Sequence, residues 1–131
     1  MLDRDGALKT VLDAYAARVR GDKEALAACW ADDAHFEIVG ARPLAAATSD
    51  LASPCEVVGS LIDQFHFSDL ELLDAVVEGR TIAARWQVIV TVDGKAPVQT
   101  QLFDLIKLND QGKIASFTQF ADTALVRDLV E

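Results

Sequence analysis

The chain is poor in the residues that mark many specialised chemistries. It has two cysteines, two histidines, three prolines, one methionine and a single tyrosine among 131 residues. Two cysteines make no disulfide framework, so a reducing cytoplasm is the expected compartment. No apolar run approaches the ~20 residues of a membrane helix. The start, Met1-Leu2-Asp3-Arg4-Asp5, lacks the basic and then apolar pattern of a signal peptide. Basic side chains are scarce too: 12 Lys and Arg against 21 Asp and Glu give a formal net charge of -9. Such a surface repels phosphate backbones and anionic bilayers, so neither nucleic acid nor membrane is an expected partner. Metal-ligand spacing, a phosphate-binding glycine loop and a nucleophile elbow are all missing. No metal and no cofactor is expected.

What is present is a foldable core. Hydrophobic residues are 51% and charged residues 25% of the chain, a globular composition that fits a single domain over 1–131. Repeats, low-complexity stretches and long linkers are absent.

The first half reads as helix. Leu8, Val11, Leu12, Tyr15 and Val19 fall on one face of a helix over 5–20. Gly21 suits its end and Asp22 can cap a second helix, Lys23 to Ala31, with Leu26 and Trp30 one turn apart. Asp32-Asp33 reads as a solvated turn, and His35 to Val39 as a first strand. Residues 40–52 read as loop. Ser53-Pro54-Cys55-Glu56 is a helix start, with a cap, a first-turn proline and a glutamate that reaches back. Val57, Val58, Leu61, Ile62 and Phe65 form its apolar stripe, and His66 falls in the turn after it.

From Leu70 the period changes to two. Strands are expected at about 70–78, 80–92, 97–109 and 113–121, with Gly79-Arg80, Asp93-Gly94 and Asn109-Asp110-Gln111-Gly112 between them. Asp122 or Thr123 can cap a last short helix carrying Leu125, Val126 and Leu129. Helices followed by consecutive hairpins predict an α+β class: three to four helices held in a curved antiparallel sheet that encloses a pocket. The outer face also carries apolar residues (Ile89, Phe103, Leu105), and a second copy of the chain is its simplest cover.

Alternation assigns the inner face. Val98, Thr100, Leu102, Asp104, Ile106 and Leu108 share one side of their strand; Ala84, Trp86, Val88, Val90 and Val92 share one side of the preceding strand. Asp104 is the one ionisable member. A carboxyl on an apolar face is costly unless paired, hydrogen-bonded or protonated. It is either a functional group or a structural aspartate tied to a neighbouring N–H or to Tyr15. Tyr15, on the apolar stripe of the first helix, needs a partner for its hydroxyl, and Asp104 can supply it. In the last strand the sets Ala115, Phe117, Gln119, Ala121 and Ile114, Ser116, Thr118, Phe120 are not separable by periodicity.

Two stretches carry a family resemblance. Tyr15…Gly21-Asp22…Trp30-Ala31-Asp32-Asp33-Ala34 and Phe103-Asp104-Leu105…Asp110-Gln111-Gly112-Lys113-Ile114 resemble the nuclear transport factor 2-like superfamily. The nearest branches are the SnoaL-like polyketide cyclases and the ketosteroid isomerases. The resemblance spans nearly the whole chain and implies a cystatin-like cone, with a homodimer formed through the outer face of the sheet. It matches Tyr15 and Asp104 to the two isomerase groups that donate to the substrate oxygen. It puts Ile38 where the isomerase base stands, with Glu37 turned to the opposite face, and Leu61 where a supporting tyrosine stands. Gln119 falls where other members carry a last-strand acid or base. Leu102 falls where epoxide-hydrolase relatives carry an arginine. Dehydratase relatives use buried histidines, whereas His35 and His66 are expected at the surface or rim.

The expected site therefore comprises Asp104 and Tyr15 as catalytic groups. Trp30, Phe36, Ile38, Leu61, Phe65, Trp86, Val88, Leu102, Phe117 and Gln119 are its expected ligand-binding walls. Three readings follow: an isomerase, cyclase or dehydratase acting on an apolar cyclic substrate; a non-catalytic binder of an apolar small molecule; and a dimeric interaction module whose own side chains fill the cavity. Cys55 at a helix start reads as an inert thiol, and Cys29 on the second helix as buried.

Overall fold

A computed structural model describes residues 4–39, 62–122 and 124–125. The expected loop 40–52, the helix start Ser53-Pro54-Cys55-Glu56 and Leu61 lie outside the described residues.

Helix α1 spans Arg4–Arg20. Its buried face is Ala7, Val11, Ala14, Tyr15, Ala17 and Arg18, whereas Leu12 and Val19 are exposed. The buried stripe is thus rotated from the one expected from large apolar residues. Alanine at three of its positions lets the helix backbone approach its neighbours closely. The end of α1 is a Schellman turn: the N–H of Asp22 donates to Ala17 O at 2.9 Å and that of Gly21 to Arg18 O at 3.3 Å, with Gly21 at φ 72. Asp22 then caps α2, Lys23–Ala28, accepting from the Ala25 N–H at 3.0 Å.

Helix α2 is shorter than expected, and Trp30 belongs to strand β1, Trp30–Val39. The cause is tertiary. Lys113 Nζ donates to Ala28 O at 2.6 Å, and the Ile114 N–H donates to Cys29 O at 2.8 Å. The carbonyls at the helix end are spent on the far end of the chain, and residues 30–34, including Asp32-Asp33, pass into the sheet. Cys29 becomes the half-buried C-cap of α2.

The remaining strands are β2 (His66–Glu78), β3 (Thr81–Thr91), β4 (Val98–Leu108) and β5 (Ile114–Phe120). The sheet order is β1-β5-β4-β3-β2. Three neighbouring pairs are antiparallel, but β1 pairs with β5 in parallel, so the sheet is mixed rather than antiparallel throughout. Strand β2 starts earlier than alternation implied: His66 opens it, exposed and 3.6 Å from Asp93, and is no turn residue. The β2–β3 register slips by one residue between Ser68 and Glu71 and again between Leu72 and Asp74, and Asp69 takes φ 49. Two bulges of this kind bend a strand and add twist. Strand β5 has a bulge of its own. Lys107 pairs with Ser116 and Leu108 with Ile114, leaving Ala115 unpaired. Both Ile114 and Phe117 therefore point inward, three residues apart.

Strands β3 and β4 pair without a slip. Their inner faces supply Ile82, Ala84, Trp86, Val88, Leu102 and Ile106 to the core, all at most 5% exposed. The β2–β3 hairpin turns at Gly79 (φ 60), where an added Cβ would meet nothing within 4 Å. Gly79→Ala should therefore cost only the left-handed backbone penalty, about 1 kcal/mol. A urea titration showing no loss would mean that the turn relaxes to another type. No helix among the described residues is long and apolar enough to cross a membrane.

Candidate active site

The inner face of the sheet and the buried face of α1 leave a cavity of about 90 Å³ between them. Its walls include Tyr15 from α1, Trp30, Phe36 and Ile38 from β1, and Phe65 just before β2. Leu102 from β4 and Phe117 and Gln119 from β5 complete the residues expected at a pocket wall. Two expected wall residues lie elsewhere. Val88 is fully buried in the core layer, and Trp86 stands behind Tyr15, its ring centroid 4.1 Å from the tyrosine ring. In both cases the alternation placed the residue on the correct face, but another side chain covers it.

Asp104 is fully buried and is also behind the wall. Its surroundings explain how a carboxyl persists there. The Tyr15 hydroxyl and Trp86 Nε1 both donate to Oδ2, the latter at 2.9 Å, and Gln119 Nε2 donates to Oδ1 at 3.1 Å. Gln119 Nε2 also donates to the Tyr15 hydroxyl oxygen at 3.1 Å. Burial pushes the Asp104 carboxyl up to about 7, while the donors from Tyr15, Gln119 and Trp86 hold it down against that rise. Burial, and then the neighbouring Asp104 charge, raise the Tyr15 phenol well above its ordinary value. Tyr15 therefore keeps its proton across the working range.

These contacts admit two proton arrangements. With Asp104 ionised, the Tyr15 proton points at the carboxylate and both Gln119 amide protons are engaged, so the cluster offers the cavity no donor. With Asp104 protonated, its own O–H can donate to the tyrosine oxygen. The Tyr15 proton is then free to turn into the cavity toward a ligand, and the other polar atoms of the cluster keep their partners. Asp104 thus sets whether Tyr15 can donate to a ligand, although the carboxyl itself is not on the wall.

Several wall residues escaped the sequence reading. Arg18 is one, 9% exposed, with its guanidinium carbon 3.9 Å from the centre of the Phe67 ring. Burial lowers its guanidinium to about 10, which leaves it charged at neutral pH. Its position, three residues after Tyr15, was a usable signal, since i and i+3 share a helix face. Asp122 also reaches the cavity, with Oδ1 accepting from the Leu125 N–H at 3.1 Å; its role as a cap drew attention away from its position just past β5. Phe67 was hidden by the bulge in β2. His35 is exposed on β1. Among the described residues, no three His, Cys, Asp or Glu side chains gather in a group that could hold a metal ion.

Trp30 is held by its neighbours. It stacks on Phe117 at 5.6 Å and 17° and meets Phe36 edge-on at 5.9 Å and 64°. Its Nε1–H is buried and has no hydrogen-bond partner among the described residues, an uncommon state for an indole donor.

Comparison with known proteins agrees with this architecture. An NTF2-like protein from Burkholderia xenovorans LB400 superposes with a TM-score of 0.78 at 20% identity, covering 100% of both chains. TsrD from Streptomyces laurentii gives 0.74 at 19% identity, with 99% of this chain and 98% of that one covered. An LEH-like epoxide hydrolase from M. tuberculosis gives 0.73 at 15% identity, with coverage of 96% and 90%. At such identities the likeness speaks for the fold alone. No curated protein gives a significant match. The SnoaL-like domain matches residues 11–117, from the middle of α1 to the inward-facing Phe117 of β5. The chain belongs to the SnoaL-like domain family.

Proposed function

We propose that this SnoaL-like pocket protein is an enzyme that enolises a small cyclic ketone or enone, in the manner of an isomerase, cyclase or dehydratase. The supporting observation is Tyr15 in the cavity wall with its hydroxyl bonded to the buried Asp104, whose carboxyl can take over that hydrogen bond. In the neutral form of Asp104, Tyr15 donates to the substrate carbonyl oxygen and stabilises the charge that develops there. Enolisation also needs a base. Ile38 cannot act as one, but Asp122 is the one carboxylate among the described wall residues. Its carboxylate takes the α-proton, the C–H electron pair becomes the enol double bond, and the carbonyl oxygen carries the resulting charge against Tyr15. Return of the proton to a different carbon completes an isomerisation.

The cavity limits the size of what enters. Pockets for drug-sized ligands run to ~300–1,000 Å³, and benzene occupies an engineered cavity of ~150 Å³. About 90 Å³ accommodates a small ring or the buried end of a longer molecule. The same smallness favours an interaction module whose own side chains fill the cavity, and the engagement of every donor around Asp104 makes a non-catalytic binder the main rival to the enzyme.

Proton exchange separates the two. In D₂O, 2-cyclopenten-1-one should exchange its α′ and γ protons faster with the protein than in buffer alone, as followed by NMR. Asp122→Asn should reduce that acceleration by ~100-fold or more, and Tyr15→Phe by a comparable factor. Binding of the ketone without any acceleration would leave the binder reading in place of the enzyme.

A further inference from the structure

Gln119 lines the cavity with one end of its amide already committed. The residue is half-buried on β5 and lies opposite Asp104 in the β4–β5 ladder. Its Nε2 donates to the Tyr15 oxygen and to Asp104 Oδ1, both at 3.1 Å. An amide nitrogen has two N–H groups, so both are used. The amide oxygen Oε1 has no hydrogen-bond partner among the described residues. It is not sealed off either: among the described residues, Trp30 Nε1 alone is a buried side-chain nitrogen or oxygen without a partner. Oε1 is therefore an open acceptor on the inner side of the sheet.

Charge compels this orientation of the amide. With Asp104 ionised, its Oδ1 only accepts, and the Tyr15 proton points at Oδ2. Turning the amide over would set Oε1 against a carboxylate oxygen with no hydrogen between them, at a depth where water screens little of the repulsion. A proton shared between Asp104 and the tyrosine oxygen puts no hydrogen on Oδ1, so the amide stays as it is. The other polar wall residues do not supply the same contact. Arg18 lies over Phe67 and is engaged within the chain. Asp122, past the end of β5, only accepts while ionised. Thr100 can donate, but it stands four residues along β4 from Asp104, about 13 Å away. At the Tyr15 end the cavity thus shows one steady acceptor, joined by a donor when Asp104 is neutral.

Covalent geometry puts Oε1 about 2.2 Å from Nε2, and so within about 5.3 Å of the Tyr15 oxygen. A carbonyl and a hydroxyl on neighbouring carbons of one small ring can meet both groups at hydrogen-bond length. We propose that the substrate is a small cyclic ketone carrying a hydroxyl, alcoholic or enolic, on the carbon next to its carbonyl. The carbonyl accepts from Tyr15, and the hydroxyl donates to Gln119 Oε1. The proposal rests on the pocket reading above and narrows its substrate class. A ketone without the hydroxyl strips water from Oε1 and gives it no hydrogen in return, which disfavours it.

Calorimetry with two pairs of probes tests this. At a pH of about 8.5 Asp104 is ionised and Tyr15 offers the cavity no hydrogen. Cyclopentanol should then bind about 5-fold more tightly than cyclopentanone, the scale of one neutral hydrogen bond. At a pH of about 5.5 both groups are available, and 2-hydroxy-2-cyclopenten-1-one should bind about 5-fold more tightly than 2-cyclopenten-1-one. Gln119→Leu should cancel both preferences while the two ketones without a hydroxyl still bind. Equal affinity within either pair for the wild-type protein, a result independent of how any variant folds, would overturn the hydroxyl assignment and leave the pocket reading standing. A preference that survives in Gln119→Leu would take the contact away from Gln119. If none of the four probes binds, the small-molecule reading itself falls.

Discussion

Asp104→Asn should melt several degrees higher than the wild type at pH 8, and the advantage should vanish near pH 4. The sign follows from the folded-state value of about 7 against an ordinary 3.8. Between those two values the folded protein holds a proton that the unfolded chain has released. Stability therefore falls as pH rises through that window, and the loss is complete above about 7. A displacement of about three pH units corresponds to on the order of 4 kcal/mol, enough to move a melting temperature by roughly 10 °C in a domain of this size. Asparagine avoids the buried charge. Its oxygen can keep the Tyr15 and Trp86 donors, and Gln119 can turn its own amide to meet the new N–H. The same change should harm function, because an asparagine cannot hand a proton to the tyrosine oxygen and release the Tyr15 hydrogen. Ketone binding, which in the wild type should weaken as pH rises through about 7, should be weak and flat with pH in the variant. A variant no more stable at pH 8 than the wild type would mean that Asp104 bears no unfavourable charge.

Trp86→Ala should be the most damaging truncation in the core, at about 3–5 kcal/mol. Trp86 is 1% exposed, its ring lies against Tyr15, and its N–H is one of three donors to Asp104. Trp86→Phe separates these roles. It keeps most of the volume and removes only the donor, so the stability cost should be about 1–2 kcal/mol. The lost hydrogen bond is one that holds the Asp104 carboxyl down, so its titration should move upward. Ketone binding should then persist to higher pH than in the wild type. Chemical denaturation gives the first quantity and a pH series of titrations the second. An unchanged pH profile in Trp86→Phe would detach the indole from the proton arrangement altogether.

Legibility in the sequence tracked the regularity of the strands. Asp104 could be placed on the buried face because β3 and β4 pair without a slip, so alternation along β4 runs unbroken from Val98 to Leu108. Tyr15 could be matched to it because a phenol on a buried helix face needs a partner. The inward set of β5 could not be chosen, since the bulge at Ala115 puts members of both candidate sets, Ile114 and Phe117, on one side. The early part of β2, with Phe67, was lost at the slip around Asp69. The end of α2 was misplaced by tertiary contacts from Lys113 and Ile114, which local propensity does not see. Arg18 is marked only by its helical spacing from Tyr15, because half of the buried face of α1 is alanine and large apolar residues do not outline it. What remained hidden was of two kinds: backbone irregularity, and contacts made across long sequence distance.

The irregular β2 also bears on how the protein survives at high concentration. Among the described residues it is an outermost strand, with β3 on one side and no strand on the other. A long straight border of free backbone groups is a template for stacking against other chains. Here the border is broken twice by slipped residues, and Asp69, Glu71, Asp74 and Glu78 stand exposed along it. Two such borders brought together would set like charges against each other across an out-of-step ladder. The same kinks that curl the sheet around its cavity therefore act as a safeguard against fibril growth.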